Sequence, residues 1–103
     1  MDMFSALAEP TRRNILEMLA RNGPLAATEI SAQFSVSPPA ISQHLKVLRE
    51  AKLVLMEKRA QQRIYQLNSD AMFELEAWAR HMTLLWNQRF DALEKVLEAE
   101  KRK

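Results

Sequence analysis

Ser37-Pro-Pro-Ala-Ile-Ser-Gln-His-Leu-Lys-Val-Leu-Arg-Glu50 is the stretch on which the fold turns. Ile41, Leu45 and Leu48 recur at helical spacing and make one apolar stripe. Ser37 reads as the N-cap, because its hydroxyl can accept a hydrogen bond from an amide of the first turn. Pro38 and Pro39 fall where a helix has no intrahelical partner for its amides, so little is lost there. A residue before proline resists the α region, which leaves the first helical residue open by one or two positions. Pro39, Ser42, Gln43, Lys46 and Arg49 are left on the other side. That outer face is short, polar and basic, and such side chains can read base edges or hold phosphates.

Working back from Ser37, a shorter helix is expected from about Ala27 to Phe34, with Ile30 and Phe34 on its inner face. Glu29 stands in its first turn, where a negative charge suits the helix dipole. Ser35-Val36-Ser37 is then a three-residue turn. Short helix, turn and longer helix make a helix-turn-helix, with Ser35 where many such turns carry glycine. Before it, Pro10 and Thr11 open a helix that runs to about Arg21. Ile15, Leu16 and Leu19 form its inner stripe, and Arg12, Arg13 and Glu17 are expected outside. Asn22-Gly23-Pro24 stops it, with the single glycine of the chain where a left-handed C-cap wants one. Met1 to Ala8 is a short apolar start, with Phe4 and Leu7 on one face to pack on another element or a partner chain.

Beyond Glu50 the pattern changes. Leu53–Arg59 and Arg63–Leu67 read as two short strands joined by Ala60-Gln61-Gln62. The joint has no Gly, Asn or Asp, so a loop longer or looser than a two-residue type I′ turn is expected. Lys58, Arg59 and Arg63 gather at the tip of this wing, within reach of a minor groove or the phosphates beside it. The alternative is an exposed hairpin that uses charge to block edge pairing. From Ser69 the chain reads as one long helix, capped by Ser69 or Asp70. Leu75, Trp78, Met82, Leu85, Trp86, Phe90, Leu93 and Leu97 follow three- and four-residue steps in a nearly heptad stripe. A small domain cannot easily bury so long a stripe. Its first half is expected to serve the chain's own core. The later residues are expected in a homodimer interface shared with the first helix, so that Phe4, Leu7, Trp78, Met82, Leu85, Trp86, Phe90 and Leu93 are the candidate interface residues. Lys101-Arg102-Lys103 reads as a frayed basic tail.

Composition sets the frame. The chain has 103 residues, 48% of them apolar, which suits one folded domain over residues 1–103 and not a disordered chain. One glycine favours helices over tight turns. With no cysteine there are no disulfides and no thiolate metal site, as suits a reducing cytosol. No signal peptide and no membrane-spanning run is read, so the expected location is cytoplasmic. Net charge is +2, unevenly spread. Residues 36–67 carry six cations (Lys46, Arg49, Lys52, Lys58, Arg59, Arg63) against Glu50 and Glu57, whereas residues 70–100 carry seven acids against Arg80, Arg89 and Lys95. The middle can meet a polyanion and the last helix cannot. Charge alone leaves an ordinary solvated surface open.

At Glu9-Pro-Thr-Arg-Arg-Asn-Ile-Leu, and again at Ser37-Pro-Pro-Ala-Ile-Ser-Gln-His-Leu-Lys-Val-Leu-Arg-Glu-Ala-Lys-Leu-Val, the chain resembles the ArsR family of bacterial winged-helix repressors over almost its whole length. The resemblance implies a mainly α fold with a small β-hairpin, a winged helix-turn-helix of about five helices and a two-stranded wing. It implies a homodimeric, nucleoid-associated repressor of transcription that binds a palindromic double-stranded DNA operator, often its own. Ser37, Pro39, Ser42, Gln43, His44 and Lys46 match the family's DNA-reading positions, and Lys58, Arg59 and Arg63 its basic wing. Pro38, Arg49 and Gln62 complete the candidate DNA-binding set.

Two departures concern metal. Where some members carry a Cys-rich pair before the turn, this chain has Ala26, Ala27 and Thr28. Where others have paired Asp and His ligands on the closing helix, it offers His81, with Asp91 and Glu94 further on. One histidine falls short of the converging donors that a tight site needs, so neither metal nor cofactor is expected. His44 is open between a base or phosphate contact and a bond within the fold. No nucleophile elbow, phosphate loop or carboxylate pair points to an enzyme. Two rivals remain: a repressor released by an unidentified small-molecule inducer or a metal, with Trp78, Arg80, His81 and Trp86 lining its site, and a helical protein-interaction module.

Overall fold

The computed structural model describes residues 2–101. Met1, Arg102 and Lys103, and with the last two most of the expected basic tail, lie outside the described residues. Five helices and three strands follow in the order α1 (Met3–Leu7), α2 (Pro10–Asn22), β1 (Leu25–Ala26), α3 (Ala27–Ala32), α4 (Pro38–Glu50), β2 (Val54–Arg59), β3 (Gln62–Leu67) and α5 (Ser69–Lys101). They form a mainly helical winged helix-turn-helix. The chain divides into two compact units, one ending at Ala71 and one starting at Met72.

Local chemistry explains the boundaries in the first unit. Asp2 caps α1 by accepting from the Ser5 amide at 2.7 Å. Glu9 caps α2 by accepting from the Arg12 amide at 3.0 Å, and Pro10 takes the first helical position. Gly23 ends α2 at φ 77°, in the left-handed region where a side chain is costly, and its amide donates to the Leu19 carbonyl. The Glu29 carboxylate reaches back to the Ala26 amide at 3.0 Å, half of a capping box, since Ala26 has no oxygen to return the bond. α3 ends at Ala32 rather than Phe34: the amides of Gln33 and Phe34 bond to carbonyls three residues back, tightening the chain out of the α-helix.

α4 ends in a Schellman motif. The Leu53 amide donates to the Leu48 carbonyl and the Lys52 amide to the Arg49 carbonyl, both at 3.0 Å. Lys52 takes the left-handed position, φ 62°, normally given to glycine. Leu48 and Leu53, the hydrophobic pair of the motif, are both fully buried. They join Ile15, Leu19, Ile30, Ile41, Leu45 and Val54 in a core built from α2, α3, α4 and the sheet.

The sheet runs β1-β3-β2, antiparallel throughout. Its third strand is an addition to the two-stranded wing expected from sequence. Tyr65 pairs with Leu25 on one side and Met56 on the other. Arg59 pairs with Gln62, so the wing loop is only Ala60-Gln61. The expected longer loop is thus corrected: Ala60 supplies the positive φ (53°) that a tight hairpin needs, without glycine.

Asn68 caps α5, in place of the expected Ser69 or Asp70. Its Oδ1 accepts from the Asp70 amide at 3.3 Å, while its Nδ2 donates to the Lys52 carbonyl at 2.7 Å. An amide side chain suits such double use, because its donor and its acceptor are separate atoms. In the second unit every residue from Glu76 to Lys101 is exposed. Trp78 and Met82 are 49% and 38% exposed, so the first half of the stripe does not become core. A helix of 33 residues is about 50 Å long. Trp86 and Phe90 meet edge to face, 5.0 Å between centroids.

Candidate nucleic-acid interface

The apolar stripe of α4 fixes which way the helix faces. With Ile41, Leu45 and Leu48 no more than 1% exposed, the opposite side must look out. Ser37, Pro38, Pro39, Ser42, Gln43, Lys46 and Arg49 are all exposed. The Ser37 hydroxyl accepts from the Ala40 amide at 3.3 Å and the Ser37 carbonyl from the Ile41 amide. Pro38 and Pro39 have no amide hydrogens. The first turn therefore offers few backbone donors to an anion, and recognition from this helix falls to side chains.

Pro39, Ser42, Gln43, Lys46, Arg49 and Glu50 line one open groove together with Ala27, Tyr65 and Arg63. Arg63 enters it because of strand parity. Lys58 pairs with Arg63 and Met56 with the buried Tyr65, so these four share the face of the hairpin that looks to the core. Arg59 and Gln62 pair on the other face, beside Glu57 and Ile64. Sequence reading put Lys58, Arg59 and Arg63 together at the tip; the register sets Lys58 and Arg63 on one face and Arg59, with Gln62, on the other. Lys58 opposite Arg63 is a like-charge cross-strand pair, unfavourable in itself and relieved by an anion. Arg59 is already engaged, donating to the Glu57 carboxylate at 3.2 Å.

His44 differs from the rest of the set. Its side chain is only 21% exposed and turns towards the start of α2. Nδ1 lies 3.3 Å from an Arg12 guanidinium nitrogen and 3.8 Å from Glu9 Oε2. Arg12 also donates through Nε to the Ala6 carbonyl at 2.7 Å and through its other nitrogen to the Ser5 carbonyl at 3.3 Å. Arg12 is therefore part-buried, a correction to its expected outward position. An alternation of polar and apolar residues could not show this, because the partners come from α1 and α4. Desolvation works to raise the Glu9 carboxyl, but the Arg12 amide, the charge of His44 and Thr11 outweigh it and hold the carboxyl below its ordinary range.

Among the described residues, no group of three or more His, Cys, Asp or Glu converges as a metal site would, and no helix is long and apolar enough to cross a membrane.

Residues 9–55, which span α2, α3 and α4, match the family described as bacterial regulatory protein, arsR family. The chain is 44% identical over 85 residues to the HTH-type transcriptional regulator Rv2034 of Mycobacterium tuberculosis, covering 78% of each. It is 34% identical over 77 residues to the transcriptional repressor SdpR of Bacillus subtilis, covering 75% of this chain and 84% of the relative. Among solved structures, an ArsR-like transcriptional regulator from Rhodococcus sp. RHA1 superposes with a TM-score of 0.79 at 26% identity, over 90% of this chain and 87% of that one.

Proposed function

Because the chain belongs to the ArsR family of DNA-binding transcriptional repressors, which are not enzymes, we propose that it acts as a homodimer without metal, setting one α4 into each of two major grooves. The observation that carries this reading is the single groove shared by the outer face of α4 and Arg63 of the wing. Ser42, Gln43 and Lys46 are the base-reading residues, and Arg49, Lys58 and Arg63 the phosphate contacts. Arg59 and Gln62 follow the strand on the far side of the hairpin. A twofold dimer needs half-sites about 34 Å apart, one turn of DNA. Occupying such a site at a promoter excludes polymerase.

The exposed apolar row of α5 supports the dimer. Leu85, Trp86, Phe90 and Leu93 are each 47% exposed or more, and an apolar row of that length marks an association surface. The charge distribution agrees, since the acidic α5 is unsuited to DNA.

The test is a titration of the protein with the duplex upstream of its own gene, against a scrambled duplex, at two salt concentrations, with and without EDTA. Saturable preference for the upstream duplex is expected, falling by orders of magnitude on modest salt addition and indifferent to EDTA. A response to EDTA or to added metal would replace this reading by a metal-responsive repressor. No preference at any salt would remove Ser42, Gln43 and Lys46 as readers of sequence.

A further inference from the structure

We propose that Arg12 is a positioning residue for DNA binding, tying α1 to the recognition helix through the ring of His44, and that protonation of His44 unties it. The proposal rests on the DNA-binding reading above. A guanidinium can only donate. Its contact with Nδ1 at 3.3 Å therefore requires that nitrogen to be the acceptor, which puts the proton of the neutral ring on Nε2. The same guanidinium holds the Ser5 and Ala6 carbonyls near the end of α1. One side chain thus spans three helices, and the α4 residue it grips, His44, lies between the exposed Gln43 and Lys46.

A proton on Nδ1 removes the acceptor and sets two cations side by side. Glu9 faces both, at 3.8 Å from Nδ1, and its carboxylate, which also caps α2 through the Arg12 amide, draws the charged ring to itself and away from Arg12. Of the other elements packed against α4, α1 presents backbone oxygens through Arg12, and its capping acid Asp2 is bonded to the Ser5 amide. Glu29 of α3 is bonded to the Ala26 amide, and Glu57 of β2 to Arg59. Among the described residues, no second acid stands by to bridge the charged ring and Arg12. Acid therefore loosens α4 from α1. The sign is informative. A histidine touching a phosphate binds DNA more tightly when protonated; a histidine holding the helix through its unprotonated nitrogen does the reverse.

Two measurements on the full chain test this. The first is a nitrogen-15 spectrum of the imidazoles at about pH 8, above the range in which histidine charges. The proton of His44 is expected on Nε2, and a proton on Nδ1 would overturn the contact itself. The second is a titration with the labelled upstream duplex, at constant ionic strength, at about pH 8 and about pH 5.5. The wild type is expected to weaken about tenfold in acid, a coupling usual for contacting residues. His44→Gln keeps an acceptor oxygen in place of Nδ1 but cannot take up a proton, and is expected, whatever its affinity, to bind equally well at the two pH values. Arg12→Lys keeps the charge but cannot span three helices, and is expected to lose about tenfold at both. Tighter wild-type binding in acid, or wild-type behaviour of Arg12→Lys, would overturn the proposal. If Arg12→Lys fails to fold, as its circular dichroism melt would show, the pH profile of His44→Gln decides. Absence of wild-type binding at either pH would defeat the DNA reading and this proposal with it, while the ring tautomer would still report on the contact.

Discussion

Lys52 and Ala60 both hold a backbone conformation that suits glycine, at φ 62° and 53°. An L-residue there costs about 1–2 kcal/mol. Part of any gain from glycine is lost to its freer unfolded chain. Lys52→Gly and Ala60→Gly are each expected to stabilise the fold by about 0.5–1 kcal/mol net, seen as a higher urea midpoint with unchanged slope. The exposed residues proposed to contact DNA divide by chemistry. Gln43→Ala should cost about 1–3 kcal/mol and relax preference at one base position. Arg49→Ala, at a proposed phosphate contact, should weaken binding to all duplexes alike and lower the salt slope by about 1, and a set of duplexes varied one base pair at a time separates the two. At this scale, the cap at Ser37 and the buried and exposed sides of α4 were legible, because each depends on neighbours within one or two turns. The partners of His44 were not. Glu9 and Arg12 lie far up the chain, and only the packing of α2 on α4 brings them to the ring.

Two of the helices begin on an acid, and that gives the fold a dependence on pH at its ends. Asp2 is held below its ordinary value of 3.8, chiefly by the Ser5 backbone hydrogen bond, and Glu9 below 4.5 despite desolvation. For a carboxyl lowered in the folded state, the stability it confers is complete above the ordinary value and is lost as pH falls through the folded one. Melting temperature is thus expected to fall as pH drops below about 4.5, and Glu9→Gln should melt lower at neutral pH but fall less with acid. Helices α2 and α4 could be read from sequence because their apolar residues repeat over three turns or more. α3 was read two residues too long, since Phe34 continues the spacing after the hydrogen bonding has tightened. β1 was not read at all. Two residues carry no period, and Leu25-Ala26 becomes a strand only because β3 offers it an edge. The wing was read as strands with the wrong loop, for want of a turn residue at Ala60.

For the molecule as a whole, the proposed division of labour gives self-association to the apolar row on α5 and DNA to the basic groove in the first unit. Leu85→Glu is expected to shift a dimer towards monomer in sedimentation. It should also weaken binding to the full palindrome by well over tenfold, yet leave weak binding to a single half-site nearly intact, because paired sites raise effective concentration. Equal losses on both duplexes would mean that the substitution had damaged the first unit instead. The sheet adds a constraint in time. All its turns and helices can form from near neighbours, but Leu25 finds its partner only in Tyr65, and the whole helix-turn-helix lies in the loop which that pairing closes. A ribosome releases Leu25 long before Tyr65. Until then β1 is a stub without an edge to join, and closing so long a loop is the slow kind of step. The pairing of β1 is accordingly expected late in folding, and amide protection there should appear after that within α2 and α4 in a pulse-labelled refolding experiment.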